Sequence, residues 1–179
     1  LVTNGIGGYA SGTISGALTR HYHGLLAAAL EPPLGRTVTL LKLDETVEYD
    51  GAPCALFTNA WDDGAVYPRG YFHLESFVLE GGVPVWTYAV ADARLEKRIW
   101  MEHGHNSGIR REALPNLTVS ATAGGIVVDP GDGRPSYRVL ATAGTWQPHC
   151  DWFSGLARLI EVERGTDSSD DAFNAGRFT

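Results

Sequence analysis

Short runs of alternating apolar and polar residues, separated by glycine or aspartate turns, recur along the chain and predict β-strands. The run TVTLLKLDETVEY ends at Tyr49, and Asp50 with Gly51 then favours a two-residue hairpin whose returning strand covers residues 55–57. A Gly-Gly pair at residues 81–82 predicts a second hairpin, between FHLESFVLE and VPVWTYAV. Antiparallel strands are therefore the expected building unit.

Further strands are predicted around these hairpins. In ARLEKRIWMEH, Leu95 and Lys97 share one face while Glu96, Arg98 and Trp100 share the other, as in a sheet with one solvated side. The other predicted strands are GLLAAAL at residues 24–30, LTVSAT and IVV around a turn at residues 124–125, SYRVLAT at residues 136–142, and LARLIEVE at residues 156–163, which also fits a short helix. Residues 165–171, GTDSSDD, predict an exposed acidic loop.

Turn signals at intervals of roughly ten residues predict an all-β protein, a large antiparallel β-sandwich with long loops and little helix. No linker divides the chain, so we expect residues 1–179 to form a single domain. The composition agrees, because 22 Gly and nine Pro supply turns while five Trp, seven Tyr and six Phe supply large apolar anchors.

Charge and hydropathy exclude some partners. The formal net charge of −7 repels nucleic acid and anionic membranes, and it leaves neutral ligands such as sugars unaffected. No apolar run approaches the ~20 residues that cross a bilayer, and the first residues lack a signal segment, so the expected location is the cytoplasm. Because the chain starts at Leu1, we also expect it to be part of a longer protein. Cys54 and Cys150 are expected to be free and buried.

The glycine-rich start of the chain permits two interpretations. Gly5, Gly7 and Ala10 match the dinucleotide-binding pattern, but further glycines interrupt the segment where a phosphate-binding helix should begin, and no βα alternation follows. The segment is therefore expected to be a loop of tight turns. If this loop also has a function, its backbone amides contact a ligand or a neighbouring domain; they are those of Asn4, Gly5, Gly7 and Gly8.

Arg20, His21, Tyr22 and His23 form a polar and aromatic cluster just before the GLLAAAL strand. If the cluster is extended, Arg20 and Tyr22 share one face and the two histidines share the other. Ligand contact and hydrogen bonding to neighbouring loops are both open interpretations.

The His-x-His spacing of His21 with His23, and of His103 with His105, is one that metal-binding strands use. A metal-dependent β-barrel enzyme is therefore an alternative function. No third ligand stands at a fixed spacing from either pair, so we predict no metal and no cofactor.

Trp61, Arg69 and Tyr71 lie in a stretch that alternates flat aromatic faces with hydrogen-bonding groups, a combination suited to sugars. Core packing is the alternative for such aromatic residues, and Trp86, Trp100 and Trp152 are expected to lie in the core. Glycoside hydrolysis needs two carboxyl groups facing each other across a cleft. The glutamates of this chain have no partner that the sequence can name, so no catalytic residue is assigned.

The opening LVTNGIGGYASGTISGALTRHYHGLLAAALEPPLGRTVTLLKLDETV resembles the N-terminal domain of bacterial and archaeal glycogen debranching enzymes of the amylo-α-1,6-glucosidase type. The resemblance continues through residues 68–71, 74–77, 86–88, 95–101, 103–104, 151–152, 161–165 and 171–178. It departs between residues 107 and 114, where the family carries a longer run, and at His21, where an arginine is more familiar.

The resemblance implies a β-sandwich that precedes an (α/α)-barrel catalytic domain. The catalytic acids would lie in that barrel, so this chain alone should hydrolyse nothing. The implied partners are an α-glucan, either glycogen or a maltooligosaccharide, and the catalytic domain of the same polypeptide. The alternative is a structural docking module with no sugar contact.

Overall fold

The structure, a computed structural model, describes residues 1–105, 118–129, 136–141, 143–157 and 169–178. Within these ranges every regular element is a β-strand except one four-residue 3₁₀ helix, Gly70–His73. All strand pairs in this part of the chain are antiparallel. The prediction of an all-β, sandwich-like fold with little helix is confirmed. None of the described residues forms a helix long and apolar enough to cross a membrane.

The first sheet is built from the glycine-rich start of the chain, in the order β1-β2-β3-β4. Its central strand β3 buries Ala27, Ala28 and Ala29 completely. The small alanine side chains let neighbouring layers approach closely at this point. The strands are β1 (Val2–Thr3), β2 (Tyr9–Ser11), β3 (Gly24–Glu31) and β4 (Leu34–Leu40).

A second sheet has the order β11-β10-β9 and contains the predicted hairpin at residues 81–82. Along β11, Leu95 and Lys97 are partly buried while Glu96 and Arg98 are exposed, so the predicted alternation is confirmed. The strands are β9 (Leu74–Glu80), β10 (Val83–Val90) and β11 (Ala93–Arg98).

Two small hairpins, β5-β6 and β7-β8, lie between these sheets in the sequence. The turn at Asp50 and Gly51 has φ values of 50° and 73°, which two-residue hairpins require at both central positions. The returning strand, however, ends at Ala55, so Leu56 and Phe57 lie outside the strand predicted for them. The strands are β5 (Thr46–Tyr49), β6 (Ala52–Ala55), β7 (Thr58–Ala60) and β8 (Val66–Arg69).

The later strands form one three-stranded sheet, β12-β13-β14, and one hairpin, β15-β16. The predicted acidic loop is wrong for residues 169–171, which begin β16, because pairing with β15 outweighs the low strand propensity of aspartate. Residues 106–117 and 158–168 lie outside the described ranges, and with them the departure at residues 107–114 and most of the predicted LARLIEVE strand. The strands are β12 (Thr118–Thr122), β13 (Gly125–Asp129), β14 (Tyr137–Leu140), β15 (Trp146–Ala157) and β16 (Ser169–Phe178).

One core cluster joins β10 to the β5-β6 hairpin through Leu56, Tyr88 and Val90. Trp86 packs against it, as predicted, but Trp100 is 70% exposed, so its assignment to the core is wrong. Cys54 is free and only partly buried, with its Sγ 3.4 Å from His73 Nε2, which corrects the expectation of full burial. The side chains of Trp152 and Cys150 lie outside the described part of the structure.

Candidate functional site

The glycine-rich loop at residues 4–8 is organised by the fully buried side chain of Asn4. Asn4 Oδ1 accepts hydrogen bonds from the backbone amides of Ile6, at 3.1 Å, and Gly8, at 2.8 Å. Asparagine is suited to this position because its side chain can replace a backbone carbonyl in a turn. Two amides of the loop are therefore satisfied internally, as the tight-turn interpretation expects.

A second turn, at residues 103–105, packs against this loop. Asn4 Nδ2 donates to the His105 carbonyl at 2.6 Å, and the Gly104 amide donates to the Asn4 carbonyl at 2.8 Å. A Cβ added to Gly5 would lie 2.3 Å from His103 Nε2, so the imidazole occupies the space that a side chain would need. The structure thus brings together two predicted features that are far apart in the sequence.

Tyr9 and Arg36 lie beside the loop on β2 and β4. Arg36 Nε donates to the Gly7 carbonyl at 3.1 Å. Burial raises the pKa of the Tyr9 phenol, the positive charge of Arg36 opposes that rise, and Tyr22 adds to it. Tyr9 thus interacts electrostatically with both Arg36 and Tyr22, although the sequence analysis singled out only Tyr22.

The cluster at residues 20–23 is a turn rather than an extended segment, since the His23 amide donates to the Arg20 carbonyl at 3.0 Å. The condition for dividing its side chains between two strand faces is therefore not met, although its position at the start of β3 is confirmed. His23 is buried, and its Nδ1 accepts from the Thr19 amide at 3.1 Å. Tyr22 is 55% exposed and meets the His23 ring edge-on at 5.4 Å.

We call this assembly the glycine-loop face: residues 4–8, Tyr9, residues 20–23 and Arg36. It combines an exposed aromatic ring with guanidinium donors, which fits a neutral ligand rich in hydroxyl groups. Within the described ranges, no three His, Cys, Asp or Glu side chains are grouped so that they could hold a metal ion.

A comparison with models of known protein families shows which family this chain belongs to. The family described as glycogen debranching enzyme N terminal matches residues 1–114, which include the whole glycine-loop face. The chain belongs to this family. No curated protein and no solved structure matches it significantly.

In this member of the debranching-enzyme N-terminal family, the other predicted binding residues form a separate group on the β7-β8 hairpin and the 3₁₀ helix. Trp61 Nε1 donates to the Tyr67 carbonyl at 2.8 Å, and Arg69 Nε donates to the Val66 carbonyl at 2.9 Å. The Tyr71 amide donates to Thr58 Oγ1 at 3.2 Å. These polar groups hold the hairpin together, so the rings of this group are better placed than its donors to meet a ligand.

Two members of the glycine-loop face, Tyr9 and Arg36, escaped the sequence analysis. Both residues lie in the segment that carries the family resemblance, but neither was named as a site residue, and both reach the loop through the pairing of β2, β3 and β4. The register places Tyr9 opposite Ala27 and Arg36 opposite Ala29. A sequence signal existed in the polar residues of β4, but the register that directs them to the loop is a property of the folded sheet.

Proposed function

We propose that this chain is the substrate-binding part of a glycogen debranching enzyme, in which the glycine-loop face binds an α-glucan beside the catalytic domain of the same polypeptide. Membership of the debranching-enzyme N-terminal family supports the assignment of this chain to a debranching enzyme. The observation that carries the proposal is the exposed ring of Tyr22 together with Tyr9, which interacts electrostatically with both Tyr22 and Arg36.

The chemistry of that arrangement matches a glucose unit. A pyranose has an apolar C–H face that packs on an aromatic ring, and a rim of hydroxyl groups that needs directional donors and acceptors. The Tyr22 ring offers the first contact, while the Arg36 guanidinium and the Tyr9 hydroxyl offer the second. A neutral sugar meets no repulsion from the net charge of −7.

The proposal includes a domain arrangement. Residues 1–179 act as one β-sandwich domain without catalytic residues, and an (α/α)-barrel that carries the acids follows in the parent enzyme. The parent enzyme acts on glycogen or maltooligosaccharides in the cytoplasm.

Calorimetric titration with a maltooligosaccharide tests the sugar contact. We expect Tyr22→Ala to weaken binding about fivefold, the effect of losing roughly 1 kcal/mol of aromatic packing. Leu140→Ala is the control, because Leu140 is 72% exposed and lies on β14, outside both groups of predicted binding residues. Absence of binding to the wild-type chain at millimolar sugar would reject the proposal.

A docking module without sugar contact is the second candidate, favoured by the exposed aromatic rings of Tyr67, Phe72 and Trp100. Alanine substitution of Arg20 and Tyr22 in the parent enzyme separates the two. Weaker glucan binding with unchanged thermal stability supports the sugar site. Lower stability or separation of the domains supports docking.

A further inference from the structure

A cavity of about 150 Å³ lies between the first sheet, β1-β2-β3-β4, and the second sheet, β11-β10-β9. Side chains from both sheets line it, together with residues of the segments that follow β2 and β4. We call it the intersheet cavity. It shares no residue with the glycine-loop face.

Apolar side chains form most of the wall of this cavity, with Leu18, Leu25, Leu41, Leu79 and Ile99 among them. A pyranose needs partners for hydroxyl groups all around its rim, and this wall would leave most of them without one. The cavity therefore suits a different class of molecule from the glycine-loop face. Apolar cavities of ~150 Å³ are large enough to hold benzene or xenon.

The charged part of the wall comes from Lys42, Glu45 and Lys97, and Ser11 and Thr13 add two hydroxyl groups. Both ammonium groups have a carboxylate partner, since Lys97 pairs with Glu45 and Lys42 Nζ lies 2.6 Å from Asp44 Oδ1. A charged ligand would compete with one of these ion pairs, and it would leave a carboxylate or an ammonium group poorly paired. A hydroxyl group accepts from an ammonium and donates to a carboxylate without carrying charge into the cavity.

Four aromatic residues also line the intersheet cavity: Phe57, Phe77, Trp86 and Tyr88. Burial and the neighbouring Glu45 raise the pKa of Tyr88, which keeps its phenol neutral. Trp86 Nε1 donates to the Ile14 carbonyl at 3.0 Å, so the indole is fixed in position and its ring forms part of a preformed surface.

We propose that the intersheet cavity binds a small neutral molecule that has one apolar ring or short aliphatic body and a single hydroxyl group. The hydroxyl group lies toward Glu45 and Lys97, and the apolar body packs against the apolar wall. This ligand class fits the general form of small-molecule sites, which are concave, mostly apolar and carry a few convergent polar groups.

Benzyl alcohol is the probe that tests the proposal, with benzoate, benzylamine and maltose as comparisons. We expect saturable calorimetric binding of benzyl alcohol to the 179-residue chain, a ligand-dependent rise in Tm, and at least about tenfold weaker binding of both charged analogues. Displacement of benzyl alcohol by maltose, or equal binding of benzoate, would overturn the proposal.

Two variants locate the site. Leu79→Ser should weaken benzyl alcohol binding about fivefold, because Leu79 lines the cavity and is 67% exposed, so its loss threatens the fold little. Val78→Ser is the matched control, since adjacent side chains of β9 point to opposite faces of the sheet. Equal losses in the two variants would place the binding site elsewhere.

A third variant tests the proposed contact between the hydroxyl group of the ligand and Lys97. Lys97→Met keeps the length of the side chain and removes the ammonium group, so the preference for benzyl alcohol over toluene should fall. An unchanged preference would contradict the assigned orientation. Tyr22→Ala should leave benzyl alcohol binding unaffected, which keeps the failure of this proposal distinct from failure of the sugar site.

Discussion

The side-chain amide of Asn4 donates a 2.6 Å hydrogen bond to the backbone carbonyl of His105, across 101 residues of sequence. The same side chain accepts from the amides of Ile6 and Gly8, so one buried residue satisfies three backbone groups. An unsatisfied buried polar group is costly, and Asn4 is fully buried. The residue therefore stabilises the conformation of the glycine-loop face.

Asn4→Ala should lower the free energy of unfolding by roughly 2–4 kcal/mol, because it leaves the buried Gly8 amide without a partner and removes two partly buried hydrogen bonds, to Ile6 and His105. Chemical denaturation followed by circular dichroism measures this change. Thr3→Ala, at an exposed position of β1, is the control and should change stability by less than about 0.5 kcal/mol. A loss for Asn4→Ala as small as that of the control would show that water replaces these hydrogen bonds.

The packing of Gly5 against His103 predicts energetic coupling between the two residues. Gly5→Ala introduces a Cβ 2.3 Å from His103 Nε2 and places it at a φ of +80°. The backbone strain should remain in a His103→Ala background, while the clash should disappear. Removal of His103 should therefore reduce the cost of Gly5→Ala by roughly 0.5–1 kcal/mol in a double-mutant cycle.

Gly12→Ala is the control for that cycle, because a Cβ at Gly12 would meet nothing within 4 Å. Its effect on stability should be the same with and without the His103 side chain. A Gly5→Ala penalty that does not depend on His103 would mean that backbone strain accounts for the whole effect.

Much of the fold was predictable because its signals are local. Asp50 with Gly51, and the Gly-Gly pair at residues 81–82, each set the geometry of a turn within two residues, and the flanking runs supply the strands. Where the prediction failed, longer-range pairing decided the result. Residues 169–171 are acidic enough for a loop, yet they pair with β15.

The candidate site was only partly predictable, because sheet register assembles it. The sequence gives prominence to residues 4–8 and 20–23, but nothing local indicates that Arg36 donates to the Gly7 carbonyl. The intersheet cavity is a similar case, since it depends on how two sheets face each other. Trp100 illustrates the opposite error, because its strand-like context suggested burial and it is 70% exposed.

Stability at alkaline pH should depend on Lys42. Burial lowers the pKa of its ammonium, and Asp44 offsets only part of that shift. At pH values between the lowered folded-state pKa and the unfolded-state value of ~10.4, Lys42 binds more protons in the unfolded chain than in the folded one. The contribution of Lys42 to the free energy of unfolding therefore rises with pH. The unfolding free energy of wild type minus that of Lys42→Met should therefore increase as the pH rises toward the unfolded-state pKa of ~10.4.

Urea unfolding of both proteins at several pH values measures that difference. Titrating tyrosines shared by the two proteins contribute equally and cancel from the comparison. A difference that is constant, or that decreases with rising pH, would contradict the lowered pKa of Lys42.

Two neighbours of Tyr9 in the glycine-loop face should shift its pKa in opposite directions. Arg36 lowers the pKa of Tyr9 and Tyr22 raises it. Arg36→Gln should therefore raise the pKa of Tyr9 above its wild-type value, whereas Tyr22→Phe should lower it.

The pKa of Tyr9 is measured by NMR titration of the chain labelled with ¹³C-tyrosine, with the Tyr9 resonance assigned from a Tyr9→Phe variant. Arg98→Gln, on the outer face of β11 and paired with Glu80 and Glu96, serves as the charge-matched control and should leave Tyr9 unchanged. Shifts of the same sign in Arg36→Gln and Tyr22→Phe would mean that the two side chains do not flank the Tyr9 hydroxyl, and the proposed sugar-binding arrangement would then lose its geometric basis.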